Sequence, residues 1–158
     1  MTIAKPFKIA GGGVLLALLG MQFFPPVRTN PTSDPGASFE AVVKPPQEVA
    51  SSLKRACNDC HSNQTAWPWY SNIAPVSWLV ANDVNEGRAH LNLSNWTQPG
   101  AEGEKPEIGE LCSEVQAGKM PLRSYALLHP QAKLTGQEIA ALCTLAVAQE
   151  GPREAVSR

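Results

Sequence analysis

Apolar positions recur at helical spacing in several stretches of the chain, and no stretch alternates convincingly with period two. Pro45-Pro46 opens a pattern with Val49, Leu53 and Ala56 on one face, running into a cysteine pair. Pro75 starts a second pattern, carrying Val76, Leu79, Val80 and Val84 as far as Gly87. Ile108, Leu111, Cys112 and Val115 recur at i, i+3, i+4 and i+7, and Gly118 stops them. Thr135-Gly136-Gln137-Glu138 reads as a capping box, opening a helix that buries Ile139, Leu142, Cys143, Ala146 and Val147 and ends at Gly151-Pro152. Ser62 to Ile73 is expected to be irregular, as is the polar stretch Asn92 to Pro106. The pattern predicts a mostly α fold with no internal repeat.

The first residues differ from the rest. Lys5 and Lys8 precede a nearly uncharged run, Ile9 to Phe24, closed by Pro25-Pro26. As a helix that run spans roughly 24 Å, against a hydrocarbon core of about 30 Å. It is short for a spanning helix and long for a signal-peptide core, and no small-x-small cleavage pair follows it between Gln22 and Thr32. We therefore expect residues 1–26 to be an uncleaved signal anchor, single-pass in a bacterial inner membrane, with the remainder facing the periplasm. A cleaved secretory signal giving a soluble periplasmic protein is the alternative. Residues 27–44, rich in Pro, Ser, Asp and Gly, read as a linker. Residues 45–151 then form the domain and 152–158 a tail.

Composition agrees with one ordinary domain: 158 residues, 43% hydrophobic and 17% charged, with 14 prolines demanding long irregular connections. The net charge of -1 hides a division. Residues 31–158 hold 10 basic and 14 acidic side chains, a balance of -4. With no Lys/Arg cluster, nothing points to a nucleic-acid partner.

The chemistry lies in Cys57-Asn58-Asp59-Cys60-His61, a C-x-x-C-H run. In c-type haem attachment the two thiols add to the haem vinyl groups, and the next residue presents its imidazole to iron as proximal ligand. A redox dithiol also uses C-x-x-C but needs a βαβ context. A zinc site wants a second close pair, whereas Cys112 and Cys143 stand 31 positions apart. For the second axial position Met120, in Gly118-Lys119-Met120-Pro121, is the first candidate. His/Met ligation raises the reduction potential and suits electron transfer. His129 and His90 are rivals, as are water and an open site. Trp67, Trp69, Tyr70 and Trp78 are candidates to wall the haem pocket or to fill the core, and Arg88 and Arg123 to pair with haem propionates or remain solvated. Cys112 and Cys143, an even pair on two apolar helix faces, are expected to form a disulfide, with two buried thiols as the alternative.

These residues resemble the bacterial haem-binding domain family (Haem_bd), small and usually membrane-anchored proteins, from about Val49 to about Ala148. The resemblance is carried by Cys57-Asn58-Asp59-Cys60-His61-Ser62-Asn63 and Trp67-Pro68-Trp69-Tyr70-Ser71-Asn72-Ile73-Ala74-Pro75, then by Asp83-Val84-Asn85-Glu86-Gly87-Arg88 and Leu91-Asn92. Met120-Pro121, Leu128-His129-Pro130 and Leu134-Thr135 complete it. It implies one haem c held by Cys57, Cys60 and His61, with Met120 at the distal position. It supplies no reaction, and Cys112 and Cys143 depart from it, standing where aliphatic core residues are expected.

The sequence thus predicts a small cytochrome c-like helical domain around one covalent haem, behind an anchor helix. Its expected role is one-electron transfer to an unidentified redox partner protein, without enzymatic activity. A haem-based ligand sensor or peroxidase-like enzyme with a labile sixth site is one alternative; a thiol-disulfide oxidoreductase using Cys57 and Cys60 is the other.

Overall fold

The computed structural model describes residues 4–96 and 108–150. Among them are eight α-helices, three short 3-10 turns and no strand. The helices are α1 (Ala4–Met21), α2 (Phe39–Val43), α3 (Gln47–Ala56), α4 (Asn58–His61), α5 (Val76–His90), α6 (Ile108–Gln116), α7 (Arg123–Leu128) and α8 (Gly136–Glu150). The stop at Gly151-Pro152, the tail at 152–158 and most of the connection expected over 92–106 lie outside the described residues.

The core gathers Phe39, Val49, Leu53, Leu93, Ile108, Leu142 and Ala146. Helix α3 buries Val49, Leu53 and Ala56 as its spacing predicts. The capping box is formed: Thr135 N–H donates to Glu138 Oε2 (2.8 Å) and Glu138 N–H to Thr135 Oγ1 (3.3 Å). Glu138 also accepts from Ser52 (3.1 Å) and pairs with Arg55, so the cap joins α8 to α3. Cys112 and Cys143 form a disulfide, their Cα atoms 4.8 Å apart, tying α6 to α8.

Several expectations need correction. Residues 27–44 are not a free linker. They hold a 3-10 turn at Pro35–Ala37 and then α2, whose Phe39 is 3% exposed and meets Trp96 edge-on at 4.7 Å. The preceding stretch is hydrogen-bonded to the domain: Gln22 exchanges two bonds with the Ala74 backbone, Trp78 Nε1 donates to Phe24 O, and Arg28 bonds Ser71 and Asn72. Among the described residues no helix is long and apolar enough to cross a membrane. Helix α1 has 18 residues, roughly 27 Å, and its sequence includes two lysines and three consecutive glycines.

Helix α5 does not end at Gly87 but continues to His90, and it buries Ser77, Ala81, Val84 and Gly87. Val76 and Leu79 are exposed, because the small residues let this helix approach the cysteine motif closely. On α8, Val147 is exposed, while Leu142, Cys143 and Ala146 are buried as expected. Leu93, placed by its sequence in a polar connection, belongs to the core.

Candidate functional site

Helix α3 runs out at Ala56, and the next residues turn at once into α4, so the C-x-x-C-H run forms one tight helical step. Cys60 N–H and His61 N–H both donate to Cys57 O, at 3.1 and 2.8 Å. Four further contacts hold this step. Leu93 N–H donates to His61 O (2.8 Å), and Asn63 N–H to Ser94 Oγ (3.0 Å). Asn92 Nδ2 donates to Asn63 Oδ1 (2.9 Å), and Thr65 Oγ1–H to Asp59 O (2.7 Å). On the other side α5 presents Gly87, and a Cβ there would stand 2.7 Å from Cys60 O.

His61 Nδ1 lies 3.1 Å from Leu91 O. A carbonyl only accepts, so Nδ1 carries the proton and Nε2 keeps its lone pair, the arrangement of a metal-ligating histidine oriented by a backbone partner. Burial holds the imidazole's pKa below its ordinary value, which favours that neutral form. Burial also pushes the thiols up, Cys57 to about 12 and Cys60 to about 11. A reactive redox dithiol needs the opposite, a depressed pKa.

These three side chains open on one cavity of about 510 Å³, within the roughly 300–1,000 Å³ usual for a ligand or cofactor. Helix α5 contributes Asp83, Glu86, Gly87 and His90; α6 contributes Glu110, Leu111, Glu114 and Val115. Met120, Pro121, Leu122 and Tyr125 complete the lining. Asp83 has a raised pKa, from burial and then from the nearby Glu86 carboxylate.

Met120 reaches this lining through a turn set by Gly118, whose φ is +66°. Gly118 N–H donates to Val115 O (3.2 Å) and Lys119 N–H to Glu114 O (3.0 Å), which together form a Schellman stop for α6. Glycine alone takes that φ freely.

Of the proposed axial ligands, the structure brings Met120 and His90 to the cavity with His61, but not His129. Both ring nitrogens of His129 are engaged elsewhere, Nε2 with Tyr70 Oη at 2.8 Å and Nδ1 with Gln131 at 3.3 Å. Among the described residues no tryptophan lines the cavity. Trp69 is 75% exposed, and Trp67 and Trp78 donate to Asn30 and Phe24. Arg123 is exposed, and Arg88 meets neither expectation: it donates to Ser62 O, Thr29 O, Asn30 Oδ1 and Thr65 Oγ1.

Sequence reasoning missed Gly87, Asp59 and Tyr125. Asp59 Oδ1 accepts from Ala66 N–H (3.0 Å) and Oδ2 from Tyr125 Oη–H (2.6 Å). Tyr125 stacks on His129 at 4.3 Å, and its pKa is raised, first by burial and then by its bond to Asp59. The available signal was the placement of Asp59 between the two cysteines.

The haem-binding domain family matches residues 16–148. The chain belongs to this family. No curated protein and no solved structure gives a significant match. Membership makes the chain a haem binder, and the residues fit the group. Two thiols and an imidazole with a free Nε2 converge on a cavity with an apolar wall, and a thioether stands in its lining. The family match begins in α1, so it extends over the strapped segment as well as the helical body.

Proposed function

We propose that this haem-binding domain protein is a monohaem c-type cytochrome that carries single electrons. The observation that carries the reading is the convergence of Cys57, Cys60, His61 and Met120 on one cavity. Haem bound there supplies a reversible one-electron couple at iron. The protein's part is to hold and shield it. Cys57 and Cys60 would tether the group covalently, and His61 would hold its iron through Nε2, its ring fixed by Leu91 O. Met120 would hold it as a second ligand, and Leu111, Val115, Pro121 and Leu122 would give it an apolar, water-poor surround.

With His61 and Met120 both holding the group, the site would leave no place for a substrate at the metal, which supports a carrier over an enzyme. Its partner is a redox protein. We place the domain on the periplasmic side of a bacterial inner membrane. Thioether attachment takes place there, and the Cys112–Cys143 disulfide suits an oxidising compartment. Helix α1 leaves Val14, Leu15, Leu16, Leu18 and Leu19 exposed, which supports its association with lipid.

Spectra of the reduced protein with and without carbon monoxide test the carrier reading. Unchanged bands are expected. Rapid formation of a carbonyl adduct would replace this reading with that of a ligand sensor or peroxidase.

A further inference from the structure

We infer that the Asp59–Tyr125 hydrogen bond is the latch that sets Met120 at its place over the cavity, making Tyr125 and Asp59 positioning residues for the distal ligand. The inference rests on the reading of Met120 as that ligand.

Met120 sits between two supports. Upstream, the Schellman stop at Gly118 joins it to α6, which the disulfide holds to α8. Downstream, Pro121-Leu122 leads directly into α7, and α7 is weakly supported by packing. None of its residues is fully buried, and Leu127 and Leu128 are 76% and 58% exposed. Apolar burial therefore does little to fix where α7 lies. Polar contacts of two side chains do so instead. Tyr125 Oη donates to Asp59 Oδ2 at 2.6 Å, and His129, which caps α7, bonds Tyr70 Oη through Nε2 at 2.8 Å. The two rings stack nearly parallel, 13° apart, so each bond orients the other's donor.

The partner at the other end is itself fixed. Asp59 lies between the two cysteines, its second carboxylate oxygen accepts Ala66 N–H, and its carbonyl accepts Thr65 Oγ1–H. The latch thus runs from the middle of the attachment motif to the helix that follows Met120. A phenol-to-carboxylate bond is among the strong ones in a protein. Its loss shifts an equilibrium between closed and open arrangements by roughly ten- to a hundredfold. The disulfide and the Schellman stop remain when it is lost, so opening is confined to the stretch from Met120 to Leu128.

The test uses full-length, haem-loaded protein with Tyr125→Phe, Asp59→Asn, the double variant, Met120→Ala and Arg123→Ala. The weak sulfur-to-iron absorption band, carbon monoxide binding and amide exchange over residues 120–128 are recorded. In Tyr125→Phe we expect a weakened band, at least about tenfold more carbon monoxide adduct at a fixed gas concentration, and faster exchange over 120–128. Haem content should be unchanged. Asp59→Asn keeps an acceptor and should retain most of the band. The double variant should be no worse than Tyr125→Phe, and Arg123→Ala should match the wild type. A band present in the wild type, lost in Met120→Ala and intact in Tyr125→Phe, with no gain in carbon monoxide binding, overturns the latch alone. A wild type with no such band, identical to Met120→Ala, overturns the ligand reading and the latch with it.

Discussion

A Cβ added to Gly87 would stand 2.7 Å from the carbonyl oxygen of Cys60 and 3.2 Å from its Cβ. The obstacle is backbone, so α5 and the cysteine step would have to separate. We expect Gly87→Ala to destabilise the fold by about 1–3 kcal/mol and to reduce the haem incorporated per chain. Thermal denaturation and a haem-to-protein ratio measure the two effects. Gly136→Ala is the control: a Cβ there meets nothing within 4 Å. That variant should be neutral or gain up to about 1 kcal/mol.

The disulfide ties α6 to α8 across 31 positions. Replacing Cys112 and Cys143 together by serine should cost about 2–4 kcal/mol, seen as a lower denaturant midpoint. Reductant should lower the midpoint of the wild type and leave that of the variant unchanged. Equal midpoints for both proteins without reductant would show that the link is dispensable.

Arg88 distinguishes a structural role from a haem-facing one. Its guanidinium donates to Ser62 O, Thr29 O, Asn30 and Thr65, joining the strapped N-terminal segment to the loop after His61. Arg88→Ala should lower stability by about 1.5–3 kcal/mol while leaving the haem reduction potential in place. A shifted potential with unchanged stability would instead indicate a contact with the propionates.

Glu138 gives the stability a defined acid limb. Its carboxylate is held down to about 2 from an ordinary 4.5, chiefly by Thr135 N–H, with Ser52 and Arg55 adding to it. A folded-state pKa below the unfolded one means the contribution is full above about pH 4.5 and is lost as pH falls towards about 2. Glu138→Gln should therefore cost stability at pH 7, about 1 kcal/mol, and the gap to the wild type should close in acid. A gap that persists at pH 2 would assign the loss to packing.

Much of this arrangement was legible in the chain. Gly118 marked the stop before Met120, and Thr135-x-x-Glu138 announced α8, because each signal acts within a few residues. Non-local geometry was harder. Val76 and Leu79 are the large apolar residues of their pattern, yet α5 turns its small residues inward because the cysteine step comes close. Residues 27–44 read as linker by composition, yet Phe39 supplies a core side chain and Arg88 straps the backbone at Thr29. Tyr125 had no local signal, since its partner lies 66 positions away.

The central claim is covalent attachment of haem through Cys57 and Cys60, and the most direct measurement is the mass of the denatured chain. Protein produced in a bacterium with export and haem-attachment machinery should retain haem after unfolding. Fragmentation should locate it on the peptide containing Cys57-Asn58-Asp59-Cys60-His61, and Cys57→Ser with Cys60→Ser should abolish retention. Complete release of haem from the unfolded wild-type chain would contradict the account.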